Sequence, residues 1–240
     1  KKVLAFIIVF FLFGTLTGCG EKKEEVTPLV MKDETALKAV KKDIAAEVMK
    51  DCLPLPGDTN FVLIILDTLR ADKLGCYGHG AGASPEIDGI AQKGVLFRNV
   101  LSQSSWTRPS IGSMITGLYP RTLGLYKEKN ERLADEFITL ADGFKANGYT
   151  TIGVTANPNI NSIFGFAKSF DKYVDSTRVW GWMKTKDGGD TAAPGNLMSA
   201  KEVFSKSIEQ IKTSSTPPYY LQLNVMEMHQ YGVRAGPEFQ

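Results

Sequence analysis

The chain has 240 residues, enough for one large domain or two small ones, and 43% of them are apolar, as in a globular protein with a real core. Its formal net charge is only +2, from 28 Lys and Arg against 26 Asp and Glu. That balance provides no electrostatic footprint for nucleic acid or for an anionic membrane surface, so neither is expected as a partner.

Lys1-Lys2 followed by the apolar run Val3 to Phe13 has the charged and apolar regions of a secretory signal. The run is too short for the ~20 residues of a membrane span. It leads into Leu16-Thr17-Gly18-Cys19, which resembles the lipobox of bacterial lipoproteins. The resemblance implies cleavage before Cys19 and lipid attachment to its thiol. That would place the protein in the bacterial cell envelope, on a periplasmic or extracellular face. We therefore expect a signal over 1–19, a tether with an amphipathic helix over 20–58, and the main domain over 59–240. Glu21-Lys22-Lys23-Glu24-Glu25 is a solvated stretch, and Leu37, Val40, Ile44 and Val48 recur at helical spacing. Leu53-Pro54-Leu55-Pro56-Gly57 then breaks the helix. Cys52 and Cys76 could form one disulfide in an oxidising compartment, which spacing alone does not decide. Neither belongs to a C-x-x-C pair, so no zinc site is built on them.

In the main domain, Phe61 to Leu66 is a continuous apolar run ending at Asp67, the pattern of a strand buried on both faces of a parallel sheet. Pro85 to Gly94 reads as a helix and Val95 to Val100 as a second strand. A helix is expected from Pro109 to Thr116, with Pro in its first turn and Gly117 closing it. Further helices are expected over Phe137 to Asn147 and Ser199 to Lys212. Thr150 to Thr155 and Pro218 to Val225 read as strands, and the latter is followed closely by His229. The alternation predicts an α/β fold with α/β/α layers around a mostly parallel sheet. Asp187-Gly188-Gly189-Asp190 is a loop with too few ligands for calcium, and His79, between glycines, reads as a surface turn.

Ligands in such folds gather beyond the carboxyl ends of the strands. Asp67 and His229 both follow strands, and Thr107 lies in a connection. A threonine hydroxyl is a poor nucleophile until a base or a cation lowers its pKa. A divalent metal held by Asp67 could supply that activation and also polarise the ester oxygen of a bound oxyanion. N–H groups from Ser110 onward would face the anion, and His229 could protonate the leaving oxygen. Each residue has a plainer alternative. Thr107 serves equally as a helix cap, Asp67 as a strand-end carboxylate, and His229 as a half-buried structural histidine.

The segment from Asn60 to about Tyr231 resembles the N-terminal part of the sulfatase family, within the alkaline-phosphatase superfamily. The resemblance rests on an ordered set of segments. They are Leu66-Asp67-Thr68-Leu69-Arg70-Ala71-Asp72-Lys73-Leu74-Gly75-Cys76-Tyr77-Gly78, Ser84-Pro85-Glu86-Ile87-Asp88, Gly94-Val95-Leu96-Phe97, Pro109-Ser110 through Tyr119-Pro120, Thr139-Leu140-Ala141, Gly148-Tyr149-Thr150-Thr151, Phe170-Asp171 and Met226-Glu227-Met228-His229. It implies that Asp67 is a metal ligand, that Thr107 holds the nucleophile position and also contacts the metal, and that His229 contacts the ester. The implied metal is calcium for a sulfatase, or zinc or manganese for a phosphoesterase. The partner implied is a sulfate- or phosphate-ester substrate.

Four departures bear on the chemistry. Thr107 stands where the family carries Cys or Ser converted to formylglycine, and Ile111 stands where it carries Arg. Thr68 replaces a second acidic residue, and Ala156-Asn157-Pro158-Asn159 replaces a Lys-Trp-His segment. A threonine nucleophile with one acidic ligand is similar to the superfamily's phosphoesterases and its phosphoethanolamine or phosphoglycerol transferases. The remaining metal ligands are expected after residue 240, so the 240-residue piece is expected to be inactive alone. A noncatalytic lipoprotein that keeps the fold as a binding module is the alternative from another class.

Overall fold

The computed structural model describes residues 2–9, 59–126, 131–176, 197–214 and 218–229. The tether, the amphipathic helix expected between Asp33 and Lys50, Cys19, Cys52 and the Asp187–Asp190 loop lie outside these residues. Five strands form one sheet: β1 (Lys2–Val9), β2 (Thr59–Leu66), β3 (Thr150–Thr155), β4 (Lys172–Asp175) and β5 (Tyr219–Val225). Their order is β1-β2-β5-β3-β4, and every neighbouring pair is parallel. The helices are α1 (Pro85–Lys93), α2 (Thr107–Thr116), α3 (Pro120–Leu123), α4 (Leu140–Ala146) and α5 (Ala200–Ser214).

Period-2 alternation splits the apolar strands between two cores. On one face, Leu63 and Ile65 of β2 and Tyr220 of β5 pack with Ile111 and Ile115 of α2 and Phe144 of α4. Phe144 stacks flat on Tyr220, with ring centroids 4.2 Å apart. On the other face, Ile152 and Val154 of β3 and Leu221, Leu223 and Val225 of β5 pack with Val203 of α5. The sheet is therefore covered on both sides, which is why its strands read as unbroken apolar runs and why the expected layered α/β fold is observed.

Capping chemistry sets several boundaries. Helix α4 begins at Leu140 rather than near Phe137. Thr139 and Asp142 form a reciprocal capping box that fixes the first turn there. Helix α2 ends at Gly117, whose φ of 71° is left-handed and open to glycine without steric cost. Gly112 lets α2 press against the next segment, because a Cβ there would come within 2.7 Å of Leu125 Cδ1.

Two segments differ from expectation. Val95 to Val100 is irregular, and Val95 is 80% and Phe97 63% exposed. Apolar composition alone does not make a strand without a partner to pair its backbone groups. Strand β4, only four residues long, was not expected; it pairs Lys172–Asp175 with Ile152–Thr155. At the N-terminus, Lys2–Val9 of the segment read as a signal forms β1, its eight residues paired one to one with Thr59–Leu66 of β2. Cys76 is a free thiol.

Candidate active site

Asp67, Thr107 and His229 line one cleft with Thr68, Trp106 and Asn159, at the carboxyl ends of β2, β3 and β5. The position follows from register. Ile65 of β2, Asn224 of β5 and Thr155 of β3 lie side by side across the sheet. Asp67 and Asn157 come two residues further along their chains, on the face that carries α2. The Asp67 N–H still bonds Val225 O at 3.0 Å, so the carboxylate is fixed by the last rung of the ladder.

Thr107 is the first residue of α2, and its hydroxyl caps nothing: Trp106 occupies the N-cap position with no side-chain capping bond. Instead Thr107 Oγ1 donates to Asp67 Oδ2 at 3.2 Å across 40 residues of sequence. The plain capping alternative is thereby set aside. The Ser110 N–H, expected to face an anion, donates to Trp106 O at 3.3 Å and is committed within the helix. Ser110 Oγ lies 2.5 Å from Ser102 Oγ, which ties the strand-to-helix connection to the helix start.

Asp67 is 5% exposed and makes no ion pair within 4 Å among the described residues. Burial pushes its carboxyl above the ordinary range, opposed in part by the charge of His229 and by polar contacts from Thr107, Asn157 and Asn224. His229 closes a short turn, Glu227–His229, directly after β5; its side chain is exposed, so the half-buried structural alternative does not describe it.

Other groups at this edge are also left incomplete. Thr68 has φ +60°, which is strained for a β-branched residue, and its buried Oγ1 lacks a hydrogen-bond partner. Asn224, 1% exposed, helps the charged form of Asp67, yet both its amide atoms complete no hydrogen bond of their own. A buried carboxylate with no ion pair within 4 Å among the described residues, beside unpartnered oxygens, is the surrounding a divalent ion would complete. The donors are all hard oxygens, the type that suits calcium, magnesium or manganese. They are also few: among the described residues no group of three or more His, Cys, Asp or Glu is placed to hold a metal.

Two residues with no role assigned from sequence belong to the site. Asn157, 1% exposed, donates from Nδ2 to Asp67 Oδ2 at 2.5 Å. Arg108, 2% exposed, donates from Nε to Asn159 O and from Nη1 to Glu131 O, each at 3.0 Å, with its guanidinium 3.5 Å above the Phe164 ring. Burial lowers Arg108 to about 10, countered by Glu131, so it stays charged at neutral pH. The strand-end position of Asn157 was the available signal; nothing in the sequence marked Arg108.

The sulfatase family model matches residues 59–240. Iduronate 2-sulfatases of Mus musculus and Homo sapiens are each 31% identical over 194 residues, covering 71% of this chain and 35% of theirs. The chain thus spans about a third of these relatives' length. Among solved structures, the phosphonate monoester hydrolase of Agrobacterium radiobacter superposes with a TM-score of 0.54 at 18% identity, over 71% of this chain and 41% of that one. The C-terminal periplasmic domain of EcEptC from Escherichia coli, in complex with Zn, does so with 0.51 at 17% identity, over 74% and 46%. These structures share the fold. With a carboxylate, a hydroxyl and a histidine gathered at one sheet edge and the family's pattern running through 59–240, the chain belongs to the sulfatase family.

Proposed function

We propose that this chain is the N-terminal portion of a metal-dependent sulfatase-family hydrolase that cleaves sulfate or phosphate esters with Thr107 as nucleophile. The observation that carries the reading is the Thr107 hydroxyl turned onto Asp67 at the cleft. Asp67 and Thr107 would hold the metal. When bound, a divalent ion lowers the hydroxyl pKa and neutralises charge on the ester. Thr107 Oγ1, its proton given up to solvent, attacks the sulfur or phosphorus while the bond to the ester oxygen breaks. His229 gives a proton to the departing oxygen. The resulting threonine ester is then hydrolysed, which regenerates the hydroxyl.

A second reading is favoured by Thr107 itself. An unmodified hydroxyl passes its group to an acceptor alcohol as readily in principle as to water, as a phosphoethanolamine- or phosphoglycerol-type transferase does. Full-length Thr107→Ala, assayed with an aryl sulfate and a phosphodiester in parallel, tests both. We expect turnover to fall at least ~1,000-fold. Retained turnover rejects the nucleophile, and inactivity of the unmodified protein on every ester favours a noncatalytic binding module.

We further propose a lipid anchor at Cys19 in the cell envelope. Cleavage before Cys19 would remove β1 and leave β2 as a sheet edge, so the mature sheet would need another cover there. Labelling of cells with a radioactive fatty acid should mark the wild-type protein and not Cys19→Ser; equal labelling of both removes the proposal.

A further inference from the structure

Asn157 holds Thr107 as well as Asp67. Its Oδ1 accepts from the Asn159 N–H at 2.9 Å, which turns Nδ2 the other way, onto Asp67 Oδ2 at 2.5 Å and Thr107 Oγ1 at 3.4 Å. The opposite amide orientation would set N–H against N–H and oxygen against carboxylate, so the partners fix the orientation. The Asn157 N–H is itself held by Thr155 Oγ1 at 2.9 Å.

The turn that carries Asn157 is gripped in its turn by Arg108, the residue next to the nucleophile, through Asn159 O at 3.0 Å. Arg108 is anchored at its other end on Glu131 O and Phe164. One end of the relay is thus a rigid, planar fork, which lysine does not reproduce.

The consequence for Thr107 is a matter of counting. A hydroxyl has one proton and two lone pairs. The proton points to Asp67, where a metal held by both residues would take its place, and one lone pair accepts from Asn157, so a single lone pair remains for attack. We propose that Asn157 is the positioning residue of Thr107. It selects the hydroxyl orientation that directs this lone pair at the substrate, and Arg108 holds Asn157 through the 157–159 turn. This rests on the reading of Thr107 as nucleophile.

The test uses the full-length protein with 4-nitrophenyl sulfate and bis(4-nitrophenyl) phosphate. Asn157→Ser keeps an oxygen able to cap the Asn159 N–H and is too short to reach Thr107. We expect kcat to fall ~100-fold, the scale for losing one well-placed donor. With the metal saturating, KM should change less than ~threefold, because substrate binding does not need this orientation. Arg108→Lys should lower kcat by about tenfold, and the double variant should fall well short of the product of the two losses, as expected for one relay. A kcat above half of wild type in Asn157→Ser, or a loss residing wholly in KM or in metal affinity, overturns the proposal. A Thr107→Ala control separates the two readings. If it keeps turnover, the nucleophile reading fails and this proposal with it; if it is dead while Asn157→Ser runs at full rate, only the role of Asn157 fails.

Discussion

Asp67 and Asp171 sit at opposite ends of the same sheet, and folding treats them in opposite ways. Asp171 precedes β4 at the amino edge, where its carboxylate pairs with Lys145 at 2.6 Å and accepts from both the N–H and the hydroxyl of Thr151. Burial alone would raise it, but the Lys145 and Thr151 contacts outweigh burial and hold it below the ordinary carboxylate range. Asp67, at the carboxyl edge, has neighbours that soften its burial without neutralising it, and it ends up raised. Both positions are well determined by the fold, yet only one is chemically complete. A carboxylate that folding leaves dissatisfied is a candidate for function, and one it fully engages is part of the scaffold.

The largest effect that bears on this contrast is expected from Asp67→Asn in the full-length protein. Turnover of sulfate or phosphate esters should drop by roughly three orders of magnitude, the scale for removing a group that acts as part of a catalytic unit. Near-wild-type kcat would place Asp67 in the scaffold class with Asp171.

Next in size is Asp171→Ala. It strands the N–H of Thr151, a residue that is 0% exposed, and should cost about 1–3 kcal/mol of stability at neutral pH. The half-exposed pair with Lys145 adds little to that figure. Because the folded carboxyl is held low, its contribution is present above the unfolded value of 3.8 and fades as pH falls through the lower folded value. The deficit of Asp171→Ala, measured by thermal unfolding, should therefore close in acid.

The smallest effect is the stability of Asp67→Asn without metal, in EDTA. A carboxyl whose folded value is raised stabilises the fold below the unfolded value of 3.8, and that stability is lost as pH rises through the raised folded value. At pH 7 the Asn variant should therefore melt higher, by about 2–4 °C for each kcal/mol relieved. The advantage should vanish in acid and reverse once a divalent cation is added. If both substitutions destabilise at pH 7 in EDTA, the contrast is broken.

Much of this arrangement is written in local patterns. The apolar run before Asp67, the strand Thr150–Thr155, the apolar residues before His229 and the Pro109…Gly117 frame each carry a short-range signal, and each yields its element nearly in place. What stays hidden depends on partners distant in sequence. The bond from Asn157 to Asp67 spans 90 residues and the grip of Arg108 on Asn159 spans 51, and no periodicity reports either. Val95 to Val100 misleads for the same reason in reverse: its composition is strand-like, but pairing is decided elsewhere. Strand β4 is too short to show any period at all. Thr107 is the instructive intermediate. Its residue type fits a cap or a nucleophile equally well, and only the position of Asp67, brought across the sheet edge, shows that the hydroxyl is not used as a cap.

The division of the apolar residues between two faces has a consequence for how such a chain can change over time. Asp67, Thr107 and Asn157 lie on the side packed by α2, while α5 packs the other face and its first residue, Ala200, holds Glu227 in the turn that carries His229. Substitutions under α5 would change how much folded protein a cell keeps, since a loss of 1–2 kcal/mol shifts abundance several-fold. They would do so without moving Thr107, Asp67 or Asn157. Substitutions under α5 are thus expected to act first on yield and lifetime, and of the candidate site groups to reach only His229.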